Sequence, residues 1–450
     1  MHVVREGKHM GDELNNGPGS PRRADSSYSR FSRSAGISEY RRRRRAGRVF
    51  KWVSAIILIA IIGGAGLLFG QRILDMPIFK PSSNGSEAPE KKAEVQEETI
   101  STVQPAQISL AMVGDVVLNS SALDSGLKDN GDYDYTPLFS NVSPEVKQHD
   151  VRIVAQETNL PGDGYGYGSM RPLNAPQALG QAEVGAGFNV VLRANDHTMD
   201  NGTEGLHSEL NWWNSEYPKI PVLGVSDPEV EEAVVSNGYA SNVYVFEKDG
   251  FKVAILNHTW DVSEQDTRYL SALDEQKISA DVKRARDAGA QMIVACPHWG
   301  QEDDIEPTED EVKYAQFYAN NGVDVIIGTH PRVLQRAEVL QGKDGHKTVC
   351  FYSLGCFVSS LSTMNLVGGL AEVTLERDSA GACSVKSAVL KPVVTHRANR
   401  GEYTVYLLGK YTEEMGQTGW DYFPPEEATQ ICTQTLGDRY NAEESVLRVV

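Results

Sequence analysis

Short apolar segments that end in polar or glycine-rich residues recur along the chain from about residue 108 onward. They cover residues 108–119, 151–159, 189–197, 291–300, 323–331 and 348–357. Segments with apolar or small residues at helical spacing lie between several of them, at 175–188, 279–292 and 309–322. Buried strands that alternate with helices indicate an α/β domain.

Two further segments have a different pattern. Residues 241–260 form two strand-like runs around the sequence EKDG, which predicts an antiparallel hairpin. The segment from Leu370 to about residue 395 predicts a second hairpin. Antiparallel pairs beside parallel strands predict mixed sheets.

Residues 52–70 are nineteen consecutive residues without a charge. A helix of this length, at about 1.5 Å per residue, nearly matches a hydrocarbon core of roughly 30 Å. Arg41–Arg45, Arg48 and Lys51 precede the run, so the positive-inside rule keeps that side in the cytoplasm. The alternative is a cleaved signal peptide, but its apolar region would be shorter and nearer the N-terminus. We therefore expect a single transmembrane helix that anchors the protein in the cell membrane, with an extracytoplasmic domain.

The charge distribution follows the same division. Residues 1–72 carry 14 Lys and Arg against 5 Asp and Glu, whereas the rest of the chain carries 29 against 56. The acidic body argues against nucleic acid as a partner, because phosphate backbones require a positive surface. The predicted organisation is a disordered basic cytoplasmic tail (1–48), a transmembrane signal anchor (49–71), a flexible stalk (72–106), the main domain (107–395) and a C-terminal extension that packs on it (396–450).

The five cysteines all follow the apolar run, and none forms a CxxC pair, so a structural zinc knot is not expected. One or two disulfides are compatible with a location outside the cell. The odd number leaves at least one thiol free or intermolecular.

Polar residues at the ends of the predicted strands are the candidate chemistry. In open α/β sheets, ligands bind beyond the carboxyl ends of the strands. Carboxylate, amide and imidazole groups that converge there would suit one or two divalent ions such as Mn, Zn or Fe. The strand-end residues are Asp115, Asn119, Glu157, Asn159, Asn195, Asp196, His197, His258, His298, Glu302, His330 and Arg332.

Several of these residues also have a simpler interpretation. Asp115 could be a turn or cap residue, and His258 fits a buried, hydrogen-bonded histidine. Asp200 fits a cap for the helix predicted to begin near residue 203. His298 and Glu302 would share a face only in a helix, which Gly300 disfavours. The metal-site hypothesis therefore depends on the whole set.

The order of the motifs resembles the CapA family, the poly-γ-glutamate capsule biosynthesis proteins. The matching segments are MVGDVVLN, VAQETNLPG, VVLRANDHTMDNGTEGL, the run from CPHWGQEDD to GTHPRVLQ, and YSLGCFV. The resemblance covers about residues 107–395. It implies a fold like that of calcineurin-like metallophosphoesterases, with two mixed β-sheets packed face to face and flanking helices in four αββα layers. It also implies membrane anchoring with the domain outside.

The resemblance implies roles residue by residue. The metal ligands would be Asp115, Glu157, Asp196, His298 and His330. His197 would donate a proton or contact the transition state. Asn is absent from the Asn-Leu-Glu motif, which here reads Ala155-Gln156-Glu157, and Asp196 replaces an Asn.

Two other departures from the family pattern affect the expected chemistry. Cys356 replaces an Asn, and Arg332 replaces the second His of a His-Pro-His motif. Arginine does not normally ligate a metal but can clamp a carboxylate or phosphate in bidentate fashion. Its position favours one metal ion over two and gives Arg332 a role in substrate contact.

Three functions follow as hypotheses. The first is an extracytoplasmic metal-dependent hydrolase or transferase in the biosynthesis of poly-γ-glutamate or a related capsule or cell-envelope polymer, with that anionic polymer as its partner. The second is a non-catalytic subunit that binds the polymer or assembles with synthase or export subunits. The third is a general metallophosphoesterase.

Overall fold

The computed structural model describes residues 103–226, 242–260, 262–263, 266–359, 361–399, 401–419 and 422–450. The predicted tail, the predicted membrane segment and all but the last four residues of the predicted stalk lie outside these ranges. Within the described ranges, no helix combines the length and hydropathy that crossing a membrane requires.

The strands within the described residues are β1 (Ala106–Val116), β2 (Val151–Gln156), β3 (Gly168–Ser169), β4 (Leu173–Asn174), β5 (Val190–Leu192), β6 (Val222–Leu223), β7 (Val243–Lys248), β8 (Phe251–Thr259), β9 (Met292–His298), β10 (Val325–Ile327), β11 (Ala337–Gln341), β12 (Lys347–Phe351), β13 (Cys356–Val358), β14 (Val367–Arg377), β15 (Cys383–Arg397), β16 (Tyr403–Leu407), β17 (Tyr440–Asn441) and β18 (Val446–Arg448). The helices are α1 (Ser120–Asp124), α2 (Thr136–Phe139), α3 (Ser143–Val146), α4 (Ala178–Ala186), α5 (Gly202–Glu216), α6 (Glu275–Asp287), α7 (Glu309–Asn320), α8 (Glu413–Thr418) and α9 (Pro425–Leu436).

Most strands belong to two mixed sheets. The larger sheet has the order β17-β18-β15-β14-β1-β2-β5-β6, with β13 paired to β1 and β16 to β15. The smaller sheet has the order β11-β12-β10-β9-β8-β7. Strands β1, β2, β5 and β6 are parallel in the first sheet, as are β8, β9, β10 and β12 in the second. The predictions of a mixed α/β fold with more than one sheet and of antiparallel pairs β7–β8 and β14–β15 are confirmed.

The two sheets share one apolar core. Leu110 and Ile153 of the larger sheet lie in the same cluster of fully buried side chains as Ile255 and Val294 of the smaller sheet. The sheets therefore pack face to face. Helices α2 and α4 cover the outer face of the larger sheet, and α6 and α7 cover that of the smaller sheet.

The ends of α6 and α7 follow from local side-chain chemistry. Asp274 accepts hydrogen bonds from the amides of the first turn of α6. Thr308 and Glu311 form a capping box at the start of α7. Both caps lie just after long polar loops, so they fix where each helix begins on its sheet.

All five cysteines lie within the described residues, and all are free. Four are buried, at positions 296, 350, 356 and 432. Their apolar burial raises the pKa of the buried thiols, so these side chains act as small packing groups.

The contact between β1 and the turn before β13 requires a glycine at position 114. A Cβ atom there would lie 1.9 Å from the carbonyl oxygen of Gly355. The next residue, Asp115, donates its backbone N–H to that same oxygen at 3.0 Å. The missing side chain therefore allows the close approach that fixes the position of Asp115.

We expect Gly114→Ala to lower the free energy of unfolding by about 1–3 kcal/mol or more, because two backbones must separate. Gly185→Ala is the control, since it is an exposed position within α4 and has no neighbour in reach of a Cβ. That change should raise stability by roughly 0.5–1 kcal/mol. Chemical denaturation of the two variants measures both effects, and equal stability of the two would contradict the role given to Gly114.

Candidate metal centre

The carboxyl ends of parallel strands from both sheets meet at one edge of the shared core. Asp115 is the penultimate residue of β1, Glu157 directly follows β2, and His298 ends β9. Asp196 and His330 lie in the loops after β5 and β10. The structure thus brings together all five residues predicted as metal ligands, although they span more than 200 positions of sequence.

The first group of ligand atoms consists of Asp196, His298 and His330, all within 4.8 Å of one another. His298 Nε2 lies 3.1 Å from Asp196 Oδ1 and 3.1 Å from His330 Nδ1. The other nitrogen of His298, Nδ1, lies 3.1 Å from Thr329 Oγ1. An outer contact of this type fixes the orientation of a metal-binding histidine.

Asp115 lies against this group and is almost fully buried. Its Oδ2 accepts a hydrogen bond from the backbone N–H of His330 at 2.8 Å. Its Oδ1 lies 3.6 Å from His298 Nδ1 and has no hydrogen-bond partner. Oε2 of buried Glu157 also has none. Buried carboxylate oxygens without partners are costly unless a cation binds there, so the residues present fit a divalent ion.

The second group consists of Glu157, Asp196 and His197, and it shares Asp196 with the first. His197 Nε2 lies 3.5 Å from Glu157 Oε1 and 3.7 Å from Asp196 Oδ2. Arg332 contacts this group directly. Its Nη2 lies 2.7 Å from Glu157 Oε1 and 3.4 Å from His197 Nε2. A guanidinium therefore already contacts two of the three ligand atoms here.

The loop that carries His330 and Arg332 has an unusual backbone. Both residues have positive φ, at 95° and 63°. Such conformations cost about 1–3 kcal/mol each and are held by the surrounding structure. The Asn365 side chain donates to the carbonyl of Arg332 at 3.0 Å and helps to hold the loop.

The carboxylates and imidazoles of the cluster shift one another's pKa values. Burial would raise the pKa of Asp196, but hydrogen bonds from His298 and His330 bring it well below its ordinary value. Burial opposes a charge on His298, yet Asp115 and Asp196 raise its pKa to about 10. Burial raises the pKa of Glu157, and Arg332 opposes the shift. These shifts have one cause, which is the close approach of carboxylates to imidazole and guanidinium groups in a buried site.

His197 is held by a residue that the sequence assigned a different role. Its Nδ1 lies 2.8 Å from Asp200 Oδ2, and this contact raises its pKa although burial opposes the shift. The prediction that Asp200 caps the next helix is wrong, since α5 begins at Gly202 after Asn201 and receives no side-chain cap. Asp200 is instead the carboxylate that orients His197.

The other strand-end residues divide into support and structure. Glu302 is 41% exposed, and its Oε1 lies 3.1 Å from Arg332 Nη2 at the edge of the site. The side chain of His258 is not part of the cluster and is buried between Asp281 and Tyr318, as its simpler interpretation predicted. The amides of Asn159 and Asn195 bind backbone carbonyls around the site. Asn119 caps α1.

Three contacts at the site were not predicted from the sequence. Arg171 pairs with Asp196 at 2.6 Å and with Asp200 at 3.2 Å. Trp260 packs on His330, with ring centroids 5.5 Å apart. Arg171 follows no apolar strand, so the strand-end criterion could not select it.

Comparison with known proteins agrees with the resemblance seen in the motifs. Residues 109–361 match the model of the bacterial capsule synthesis protein PGA_cap family, and the chain belongs to that family. It is 27% identical over 259 residues to the capsule biosynthesis protein CapA of Bacillus anthracis, a match that covers 56% of this chain and 60% of the relative. It is 28% identical over 217 residues to the PGA biosynthesis protein CapA of Bacillus subtilis (strain 168), covering 47% of this chain and 52% of the relative.

Solved structures show a more distant similarity. The calcineurin-like phosphoesterase YfkN from Bacillus subtilis aligns with a TM-score of 0.40 and 13% identity, over 73% of this chain and 97% of that chain. The NAD nucleotidase NadN of Haemophilus influenzae aligns with a TM-score of 0.42 and 15% identity, over 74% of this chain and 64% of that chain.

Removing the guanidinium of Arg332 should leave the buried carboxylate of Glu157 without the cation 2.7 Å from its Oε1. We expect Arg332→Met, in the presence of a chelator, to lower the free energy of unfolding by about 3–5 kcal/mol. Adding Glu157→Gln should restore part of the loss, because the uncompensated charge is then gone. Chemical denaturation of the two single variants and the double variant measures the coupling.

Arg336→Met is the control for this cycle. Its guanidinium is 38% exposed and pairs with the exposed Glu306 at 3.0 Å, so the change should cost less than about 1 kcal/mol. Additive losses in the Arg332 and Glu157 variants would show that the buried pair is not coupled.

Proposed function

We propose that the protein acts in the biosynthesis of poly-γ-glutamate or a related capsule or cell-envelope polymer, as a hydrolase or transferase that uses one divalent metal ion. The observation that carries this proposal is the cluster of Asp196, His298 and His330, with the buried and unpartnered Oδ1 of Asp115 beside it. Membership of the capsule synthesis family supports the polymer class.

Asp196, His298 and His330 would hold the ion, with the buried carboxylate of Asp115 beside them. Carboxylate oxygen together with imidazole nitrogen suits Zn, Mn or Fe. When bound, such an ion supplies Lewis acidity to the group that is cleaved. The carboxylate of Asp196 belongs to both ligand groups, so it links this position to His197.

His197 is the proposed proton donor. Asp200 binds its Nδ1 and thereby directs Nε2 toward Glu157 and Asp196. Burial disfavours a charge on His197, but Asp200, Glu157 and Asp196 outweigh it and raise its pKa, which favours the protonated imidazole. A positioned imidazolium can transfer its proton to a leaving group and then accept one from water.

Arg332 argues for one ion and against two. Its Nη2 lies 2.7 Å from Glu157 Oε1, so a guanidinium occupies the position beside this oxygen that a second ion would take. The guanidinium keeps its charge because burial, which disfavours it, is outweighed by Glu157, and the pKa of Arg332 rises. Its fixed positive charge would contact an anionic group of the substrate.

The proposed location is the cell membrane, with the N-terminus in the cytoplasm and the site outside it. The support is the uncharged run 52–70 and the arginines before it. This segment lies outside the described residues.

Metal content tests the proposed chemistry. Purified full-length protein should bind one equivalent of Mn or Zn, and His330→Ala and Asp196→Ala should each lower the affinity at least tenfold, since each removes a ligand. Elemental analysis and calorimetry measure this, with His258→Gln, whose side chain contacts Asp281 and Tyr318 and no residue of the cluster, as the control. The loaded protein should cleave a para-nitrophenyl phosphodiester or a γ-glutamyl anilide. Folded protein that takes up no metal and cleaves neither would exclude the proposal.

A non-catalytic subunit of a polymer-export assembly is the second candidate. The observation in its favour is the Arg332–Glu157 pair, because the guanidinium binds a carboxylate oxygen of the second group that would otherwise be available to a metal ion. The two candidates give opposite results in cells that make the polymer. Catalysis predicts that His197→Ala abolishes polymer production or changes its length, with protein levels unchanged.

An assembly role predicts instead that His197→Ala has no effect, whereas deletion of residues 49–71 abolishes production. Polymer yield and chain length by gel electrophoresis distinguish the two. His207→Ala, on α5 and outside the cluster, is the matched histidine control.

A further inference from the structure

Arg171 lies at the tip of the β3–β4 hairpin, which belongs to neither large sheet. The hairpin is fastened to the loop that carries Asp196. The backbone N–H of Leu173 in this hairpin donates a hydrogen bond to Asp200 Oδ2 at 2.9 Å. The side-chain amides of Asn174 and Asn201 bind each other at 3.0 and 2.6 Å. The hairpin therefore holds Arg171 at a defined position beside the site.

The guanidinium of Arg171 faces both the site and solvent. Its Nη2 lies 2.6 Å from Asp196 Oδ2, and its Nη1 contacts Asp200 Oδ1 at 3.2 Å and the Asp196 carbonyl at 3.1 Å. The side chain is 61% exposed, whereas the two carboxylates are 9% and 2% exposed. A guanidinium has five N–H donors, and these contacts use at most three of them.

Arg171 and Arg332 occupy matching positions around His197. The Nε2 atom of His197 lies near two carboxylates, those of Asp196 and Glu157. Arg171 binds the first, and Arg332 binds the second. The group of three ligand atoms that could have held a second metal is therefore bordered by two guanidinium groups.

The charge of the surroundings gives these two cations a consequence for substrate binding. The cluster contains several carboxylates, which would repel an anionic substrate. Arg332 is only 12% exposed, so Arg171 is the cation of this pair that a substrate meets from solvent. Planar guanidinium groups bind carboxylate and phosphate oxygens in bidentate geometry.

We propose that Arg171 and Arg332 form an oxyanion subsite beside His197. This subsite binds a carboxylate or phosphate of the substrate next to the metal position. The inference rests on the proposed function for the identity of the reaction, but the subsite itself follows from the two guanidinium contacts. In a γ-linked glutamate polymer each residue carries a free α-carboxylate, which is an oxyanion of the required kind.

The test is anion binding by full-length protein loaded with Mn. The probes are inorganic phosphate and γ-linked triglutamate. Arg171→Ala should weaken binding about ten- to one-hundredfold, the effect of losing hydrogen bonds to a charged group. Arg171→Lys should restore only part of the binding, because the ammonium keeps the positive charge but lacks the planar pair of N–H donors that binds an oxyanion in bidentate geometry. A loss confined to one probe identifies the source of the oxyanion.

Kinetics separate this role from a structural one. With the γ-glutamyl anilide, Arg171→Ala should raise KM about tenfold or more and change kcat little. Metal content should stay at one equivalent. Arg448→Ala is the matched control, since its side chain is 59% exposed and pairs with Glu444 on another face; it should bind both probes like the unaltered protein.

The outcomes distinguish the subsite from the proposed function. Protein that binds metal and turns over substrate, but whose Arg171→Ala variant binds both probes normally, overturns the subsite and leaves the proposed function standing. Folded protein that takes up no metal and cleaves neither substrate overturns the proposed function. The subsite is then judged on the metal-free protein, where weaker probe binding by Arg171→Ala supports it and equal binding overturns it.

Discussion

The face-to-face packing of the two sheets is the constraint on which the site depends. Each sheet contributes parallel strands whose carboxyl ends point toward the same edge of a shared apolar core. Asp115 and Glu157 come from the larger sheet, and His298 and His330 come from the smaller one. Without the common core, neither sheet would carry a complete set of ligand atoms. Burial of apolar surface between the sheets thus provides the free energy that holds a cluster of charged groups together.

Asp196 is the residue that joins the parts of this cluster. Its Oδ1 faces the two histidines of the first group, and its Oδ2 faces His197 and Arg171. Carboxylates that are this close repel one another, so they persist only because protons, guanidinium groups or a metal ion neutralise them. The low pKa of Asp196 and the high pKa of His298 both follow from this need for neutralising positive charge.

The same requirement explains why arginine at position 332 is compatible with the fold. Its guanidinium supplies a fixed positive charge to Glu157, which is fully buried. The backbone of Arg332 has a positive φ, and the Asn365 amide donates to its carbonyl and helps to hold that conformation. The result is a site with two different halves. One half has the side chains of a metal centre, and the other has guanidinium groups around a histidine that a carboxylate orients.

Sequence periodicity by itself determined the mixed α/β class, the two hairpins and the strand ends at which Asp115, Glu157, Asp196, His298 and His330 lie. This was sufficient because strand direction fixes where the ligands of an α/β sheet must be found.

Only the tertiary structure decided which polar neighbours act together. Asp200 was predicted as a helix cap but is the partner of His197, and Arg171 reaches the site from a hairpin whose two strands have only two residues each and no apolar pattern. His258 shows the opposite case, since its strand-end position matched the others while its side chain points into a separate buried contact with Tyr318. Alternation along a strand sets the face of each residue, but the partner across the cleft is chosen by the packing of segments that are distant in sequence.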